Sequence, residues 1–294
     1  MSKRSRDRHL AKLAAQRQAE RYAAQRRRNR VIGVVVGALV LVAAGVGAAV
    51  VFGGGETDGS SSVTPSGSSS PSPSVEPGTE TGTVTPTPAN DSGDVACGGK
   101  VPANADAPKP QFAGPPPLTI DKKATYEATV ETSCGTIVIE LDAKHAPQTV
   151  NSFVFLAKHG YFDGQYLHRL DTSIDVVQGG DPTGTGSGGP GYAIPDELRG
   201  EESYAPGTLA MANAGPNTGG SQFFLITGPA GHNLDANPNY TIFGHVVEGL
   251  DVAKRVQQLP ITDPDAAAAG DLTGQRPRDA VYLERVVVRK LGGT

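Results

Sequence analysis

The sequence predicts a mainly β domain over residues 118–294, with its strands in a closed or sandwiched arrangement. In Thr136–Leu141, every second residue is a large apolar one: Ile137, Ile139 and Leu141. This period of two indicates a strand with one buried face. Further short apolar or β-branched segments, separated by Gly and Pro, lie at Tyr166–Arg169, Asp175–Gln178, Thr208–Ala212, Ser221–Thr227, Thr241–Val247 and Val281–Arg289. Only two helices are predicted among them, which disfavours a parallel sheet of alternating strands and helices.

The first predicted helix begins at Pro147, because proline is tolerated in the first turn of a helix. Its apolar residues recur at helical spacing until Gly160 stops the run, and they are Val150, Phe153, Val154 and Ala157. A second helix is predicted between Gly249 and Gln258.

Residues 1–30 form a basic tail. Eleven Lys or Arg residues stand against Asp7 and Glu20, a net charge of about +9, although the whole chain sums to -4. Anionic lipid headgroups attract Lys and Arg next to a membrane by about 1 kcal/mol each. This tail is therefore expected to contact membrane lipid, and no nucleic-acid binding is predicted.

Residues 31–52 are 22 residues without a charge, which as a helix would be about 33 Å long and would cross a bilayer. Four arginines lie within residues 26–30, directly before this span, whereas residues 53–85 contain no Lys or Arg. The positive-inside rule predicts a single-pass transmembrane helix with a cytoplasmic N-terminus and an extracytoplasmic domain. A cleaved secretory signal is the alternative, and it would also export the domain.

Residues 53–117 are dominated by Ser, Thr, Pro and Gly. This composition is too poor in large apolar side chains to offset the entropy lost on ordering. It predicts a disordered tether, stiffened by prolines near its end, with the folded domain beginning at Leu118.

The two cysteines, Cys97 and Cys134, would both lie on the exported side, where disulfides persist. A disulfide requires a specific geometry that sequence does not supply, so a bond between them and two unpaired thiols both stay open. Neither cysteine has the spacing of a metal ligand, and no metal site is predicted.

Three stretches carry the functional information. They are Leu167-His168-Arg169 with Gln178-Gly179-Gly180-Asp181, the string MANAGPNTGGSQFF at Met211–Phe224, and Leu234 with Tyr240-Thr-Ile-Phe-Gly244. Together they resemble the cyclophilin family of peptidyl-prolyl cis/trans isomerases, over about Thr125 to Val288. With the anchor and the Ala, Gly and Arg richness, the resemblance is to a membrane-anchored bacterial, actinobacterial-like member. It implies a closed eight-stranded antiparallel β-barrel capped by two α-helices, with no cofactor.

Such enzymes accelerate rotation about X-Pro amide bonds, which faces a barrier of about 20 kcal/mol. At the twisted transition state the proline nitrogen carries a localised lone pair. A guanidinium that donates to this nitrogen stabilises the twisted form more than either planar isomer. The resemblance assigns this catalytic role to Arg169, a permanently charged planar fork of donors.

The resemblance also implies a substrate-binding set. Its polar members are Gln178, Asn213 and Gln222, and Ala212 also belongs to the set. The apolar pocket for the proline ring would be formed by Val176, Phe224 and Leu234, with Tyr240 at the rim. Gln178 would orient Arg169 or bind the substrate carbonyl, and the backbone of Asn213 would hold the residue before proline. His168 is assigned no catalytic part.

Three departures from the family pattern affect this site. One extra residue lies between Arg169 and Gln178, and Asp175 stands where the family usually has a Phe of the proline pocket. Either the insertion brings Ile174 into the pocket, or the pocket is more polar and activity is lower, because a carboxylate is costly to desolvate. Asn233 replaces a Trp that contacts cyclosporin in many members, which predicts weak cyclosporin binding.

The predicted function is isomerisation of X-Pro bonds in proline-containing segments of exported proteins, by a folding helper of the cell envelope. The alternative is a non-catalytic proline-peptide binding module or holdase with the same cleft. Residues 184–189 formally match a dinucleotide fingerprint, but Pro190 and Gly191 follow where a helix should begin, so a surface loop that contacts peptide is preferred. Residues 261–279 have no predicted role.

Overall fold

A computed structural model describes residues 76–90 and 93–291 of the chain, all within one compact unit. The predicted basic tail (1–30), the predicted transmembrane helix (31–52) and the first part of the predicted tether lie outside the described residues. Within the described ranges, no helix is both long enough and apolar enough to cross a membrane.

The described residues are mainly β. The strands are β1 (Glu80–Val84), β2 (Lys109–Phe112), β3 (Tyr126–Thr132), β4 (Gly135–Leu141), β5 (Arg169–Asp171), β6 (Val176–Gly179), β7 (Thr208–Met211), β8 (Phe223–Ile226), β9 (Ile242–Glu248) and β10 (Leu283–Lys290). The α-helices are α1 (Pro147–Lys158), α2 (Leu250–Gln257) and the short α3 (Pro264–Ala268). Turns of 3-10 helix lie at Ala96–Gly98, Pro229–Leu234 and Leu272–Gln275.

Strands β3 to β10 form one antiparallel sheet in the order β10-β3-β4-β9-β7-β8-β6-β5. The predicted number of barrel strands is therefore confirmed, but closure is only partial. The edge strands β5 and β10 are not paired with each other. Instead, the segment before β5 meets the start of β10 through the Tyr166–Tyr282 bridge and a bond from Leu283 N to Gln165 O at 2.7 Å.

Helix α1 begins at Pro147, as predicted, and the carboxylate of Glu197 accepts bonds from two amides of its first turn, Gln148 N and Thr149 N. This distant carboxylate supplies the capping that Ala146 cannot provide. The apolar face of the helix lies against the sheet. Phe153 is 1% exposed, and its ring packs against Phe162, Phe223 and Phe243 with centroids 4.9 to 5.7 Å apart.

Helix α2 confirms the second predicted helix. It follows Gly249, whose φ is +83° and where a Cβ would lie 2.3 Å from Thr136 O, so both conformation and space require glycine. Its Val252, Ala253 and Val256 are buried. Helix α3 was not predicted, because its five residues are too few to show a helical period.

Residues 76–117, which composition assigned to a mobile tether, are folded wherever the structure describes them. Strands β1 and β2 pair in an antiparallel hairpin, and Phe112 is 2% exposed. Its ring packs on Phe155, in helix α1, with centroids 4.8 Å apart. A few well-placed side chains dock this extension onto the domain, so the predicted boundary at Leu118 is wrong for the described part of the tether.

A disulfide joins Cys97, in this extension, to Cys134 at the turn between β3 and β4. The two Cα atoms are 5.1 Å apart, within the range that a disulfide spans. The bond cross-links the extension to the central sheet.

Candidate active site

All nine residues assigned to the site from the sequence line one cavity of about 480 Å³. They are Arg169, Val176, Gln178, Ala212, Asn213, Gln222, Phe224, Leu234 and Tyr240. Strands β5, β6 and β8 bring several of them together, because Arg169 pairs with Gln178 across β5 and β6, and Gln178 pairs with Phe224 across β6 and β8. Residues more than 50 positions apart in sequence thus meet in one cleft.

The apolar part of the cavity is a packed cluster. Buried Val176 and Phe224 form it with partly buried Leu234 and Tyr240 around them. The Phe224 and Tyr240 rings meet edge to face at 5.2 Å. Tyr204, which the sequence did not single out, holds Tyr240 in place, since its hydroxyl donates to Tyr240 O at 2.9 Å and accepts from Tyr240 N at 3.0 Å.

The extra residue before Gln178 is accommodated at Asp175. Its φ is +51°, a left-handed conformation that Asp tolerates better than most residues. Its carboxylate accepts a bond from Ala230 N at 2.8 Å, and Asp175 does not line the cavity, whereas Ile174 does. The geometry matches the first of the two sequence alternatives, because Ile174 lines the cavity and the carboxylate of Asp175 is directed elsewhere.

The polar wall is a relay of side-chain amides that starts at Arg169. Arg169 Nη1 donates to Gln178 Oε1 at 2.9 Å, and Gln178 Nε2 donates to Gln222 Oε1 at 2.9 Å. Gln222 Nε2 then donates to Gly188 O at 2.9 Å. Each amide uses one donor and one acceptor within the relay, which fixes its orientation and that of the guanidinium.

Two further residues hold Arg169, and the sequence analysis missed both. Arg169 Nη2 donates to the buried carboxylate of Asp171 at 2.5 Å, and Arg169 Nε donates to Gln275 Oε1 at 2.6 Å. Asp171 lies two residues along the same strand, so the alternation of a strand could have revealed it. Gln275 is 106 residues distant and gives no local signal.

The glycine-rich loop of residues 184–189, whose sequence matches a dinucleotide fingerprint, forms part of the cavity wall. Its residues that line the cavity are Gly186, Ser187, Gly188 and Gly189. Asp181 organises this loop, since its carboxylate accepts from Thr183 N at 2.7 Å and from Gly186 N at 2.6 Å. The N-terminal extension supports it from outside, because Gln111 Nε2 donates to Gly189 O at 2.8 Å. No helix follows the loop before β7, so the geometry of a dinucleotide site is not present here.

His168, next to Arg169, is 6% exposed. Burial lowers the pKa of His168 to about 4, against the opposing effect of nearby Asp181. The imidazole is therefore neutral at pH 7.

Acid is expected to destabilise the domain through His168. The unfolded chain has a histidine pKa of about 6.5, so it takes up the proton before the folded protein does as the pH falls. The free energy of unfolding should lose about 3 kcal/mol between roughly pH 6.5 and 4, and nothing above that window. Denaturant unfolding across this range should show a shallower pH dependence for His168→Gln. His145→Gln, at a histidine with a 42% exposed side chain, is the control. Identical pH dependence in His168→Gln and the wild type would contradict the prediction.

The family model "Cyclophilin type peptidyl-prolyl cis-trans isomerase/CLD" matches residues 128–288. The chain is 49% identical over 131 residues to "Peptidyl-prolyl cis-trans isomerase ppi1" of Schizosaccharomyces pombe, covering 43% of this chain and 82% of that protein. It is 39% identical over 187 residues to "Probable peptidyl-prolyl cis-trans isomerase A" of Mycobacterium bovis, covering 58% of this chain and 96% of that protein. A crystal structure of a cyclophilin type isomerase from Cryptosporidium parvum is 28% identical with a TM-score of 0.49, covering 57% of this chain and 99% of that chain.

Proposed function

Since the chain belongs to the cyclophilin type peptidyl-prolyl cis-trans isomerase family and is an enzyme of that class, we propose that it isomerises X-Pro bonds in exported proteins, as a membrane-anchored folding helper of a bacterial cell envelope. We assign the catalytic role to Arg169. The observation that carries this assignment is that a guanidinium held by three side chains lines the same cavity as an apolar pocket of suitable character for a proline ring.

Arg169 retains donors for substrate. A guanidinium has five N–H donors, and bonds to Gln178, Asp171 and Gln275 use three of them. The remaining two belong to Nη1 and Nη2, at the outer end of the group. Donation from this end to the pyramidal proline nitrogen favours the twisted amide, because the planar isomers have no localised lone pair there.

The other cavity residues hold the peptide while the bond rotates. Ile174, Val176 and Phe224 provide apolar surface for the proline ring, so the ring can stay fixed as the preceding residue turns. The side chain of Asn213 is already bonded to Asn239 O at 2.7 Å, which leaves its backbone as the proposed contact to the residue before proline. Asn233 is exposed and weak cyclosporin binding stays a prediction.

Two features support action outside the cytoplasm. The uncharged stretch of residues 31–52 follows a cluster of arginines, the pattern of a span with its N-terminus inside. The Cys97–Cys134 disulfide suits an oxidising compartment, where such bonds persist.

The location is tested by labelling both ends of the full chain with epitopes in a bacterial host. We expect antibody to reach the C-terminal epitope on intact spheroplasts and to reach the N-terminal epitope only after permeabilisation. A variant with Gln in place of the four arginines within residues 26–30 should lose part of this orientation, because it removes the charges nearest the span. If antibody reaches only the N-terminal epitope on intact spheroplasts, or reaches neither epitope there, the proposed location is refuted.

A further inference from the structure

Residues 261–279, between α2 and β10, form a folded unit beside the active site. Thr262 N donates to Arg276 O and Arg278 N donates to Pro260 O, both at 2.8 Å, so the two ends of the segment are tied together. The carboxylate of Asp263 caps α3 by accepting from Asp265 N and Ala266 N. These bonds give the segment a defined shape.

The 3-10 turn Leu272–Gln275 is the part of this unit that contacts the cavity. Gln275 is 7% exposed, and its Oε1 lies 2.6 Å from Arg169 Nε. Leu272 lines the cavity itself. The next residue, Arg276, donates from Nη2 to Gly184 O at 3.1 Å, in the loop that forms another part of the wall. The segment therefore contacts both the catalytic arginine and the glycine-rich loop.

The bond that Arg169 Nε donates to Gln275 Oε1 limits how Asp171 can hold Arg169. Arginine and carboxylate groups readily form side-on pairs in which Nε and Nη2 donate to the two carboxylate oxygens. Here Gln275 occupies Nε, and Asp171 is bonded to Nη2. Without the glutamine acceptor, Nε–H loses its partner, and the guanidinium plane is free to turn away from Gln178 while Nη2 stays bonded to Asp171 Oδ2. Gln275 thus keeps the guanidinium of Arg169 bonded to both Asp171 on β5 and Gln178 on β6.

We infer that Gln275 is a positioning residue for the isomerase reaction, which holds the guanidinium plane of Arg169 in the orientation that serves the twisted amide. This inference rests on the catalytic role proposed for Arg169. It assigns a function to residues 261–279, for which the sequence offered none.

The test compares three variants of the full chain, Gln275→Leu, Gln275→Glu and the control Gln258→Leu. Gln258 is an exposed glutamine just after α2. NMR exchange spectroscopy on an X-Pro peptide gives the isomerisation rate, and titration gives the peptide Kd. We expect Gln275→Leu to slow isomerisation about tenfold with Kd changed less than twofold, because small misplacements of a catalytic group cost rate more than binding. Gln275→Glu keeps an acceptor oxygen in place and should stay within about threefold of the wild type.

A side-chain resonance separates positioning from a general structural effect. The Nε–H signal of Arg169 should be protected from solvent exchange in the wild type, Gln275→Glu and Gln258→Leu, and should lose protection in Gln275→Leu. A wild-type rate in Gln275→Leu would overturn the inference, as would an equal loss of rate in Gln275→Glu or in the Gln258→Leu control. If the rate is insensitive to Arg169 itself, the catalytic role proposed for Arg169 fails; if the rate depends on Arg169 and not on Gln275, only this inference fails.

Discussion

Replacing Arg169 by Ala is expected to slow isomerisation of an X-Pro peptide by about 10²- to 10³-fold, the usual loss when one preorganised donor to a transition state is removed. Peptide affinity should change far less, because the apolar contacts of Val176 and Phe224 remain. Exchange spectroscopy measures the rate and titration measures the Kd, so the two effects are separable. A wild-type rate in this variant would remove Arg169 from the mechanism.

Loss of Arg169 also leaves the buried carboxylate of Asp171 without its cation, so Arg169→Lys is the companion variant. Lysine keeps a charge near Asp171 but lacks the planar fork that meets Gln178, Asp171 and Gln275 together. We expect Arg169→Lys to stay folded and to lose most of the rate. Arg199→Ala, at an arginine with a 43% exposed side chain, is the surface control and should retain it.

Removing the Cys97–Cys134 disulfide is expected to lower the free energy of unfolding by about 3 to 4 kcal/mol. The bond closes a loop with a sequence separation of 37, and opening that loop gives the unfolded chain more conformational freedom. Denaturant unfolding of the Cys97→Ser/Cys134→Ser chain measures the change. Adding reductant to the wild type should reproduce it and should have no effect on the double variant.

Removing the disulfide should also allow the N-terminal extension to open locally, before the rest of the domain unfolds. Phe112 N donates to Pro190 O at 2.8 Å, at the edge of the loop that lines the cavity. Amide hydrogen exchange at Phe112 should accelerate in the double serine variant, whereas amides in β4 should exchange at a rate limited by global unfolding. Unchanged stability and unchanged exchange at Phe112 would show that the disulfide contributes nothing to this contact.

Local patterns predicted the central sheet and its two principal helices. Strand β4 shows a clear period of two, and α1 has proline at its start and Gly160 at its end. The site residues were found by another route, because the strings around Arg169 and Met211–Phe224 resemble a known family. The structure brings those strings together in one cavity, but their catalytic and binding roles stay proposals until the variants are measured.

The N-terminal extension escaped prediction because its order comes from long-range contacts. Residues 76–117 contain few apolar side chains, and the buried ones, such as Ala96 and Phe112, have no regular spacing. They become ordered by packing on a core that the rest of the chain provides and by one disulfide. The partial closure of the barrel is also a tertiary feature, since it depends on how residues 164–167 meet the start of β10.

Asp175 and Gln275 show two limits of predicting the site from the sequence. Sequence identified the extra residue near Asp175 and left two outcomes, and only the backbone conformation distinguished them. Gln275 had no identifiable pattern at all, because its contact with Arg169 spans 106 residues. Side-chain direction decides both cases, and periodicity does not encode it.

The most direct test of the assigned cleft is NMR of the full chain bound to an X-Pro peptide labelled in its proline ring. Our account predicts contacts from the ring protons of both isomers to Val176, Phe224 and Leu234, with exchange between the two bound forms far faster than the tens of seconds of a free peptide. Proline contacts elsewhere on the chain, or binding in this cleft without faster exchange, would contradict it.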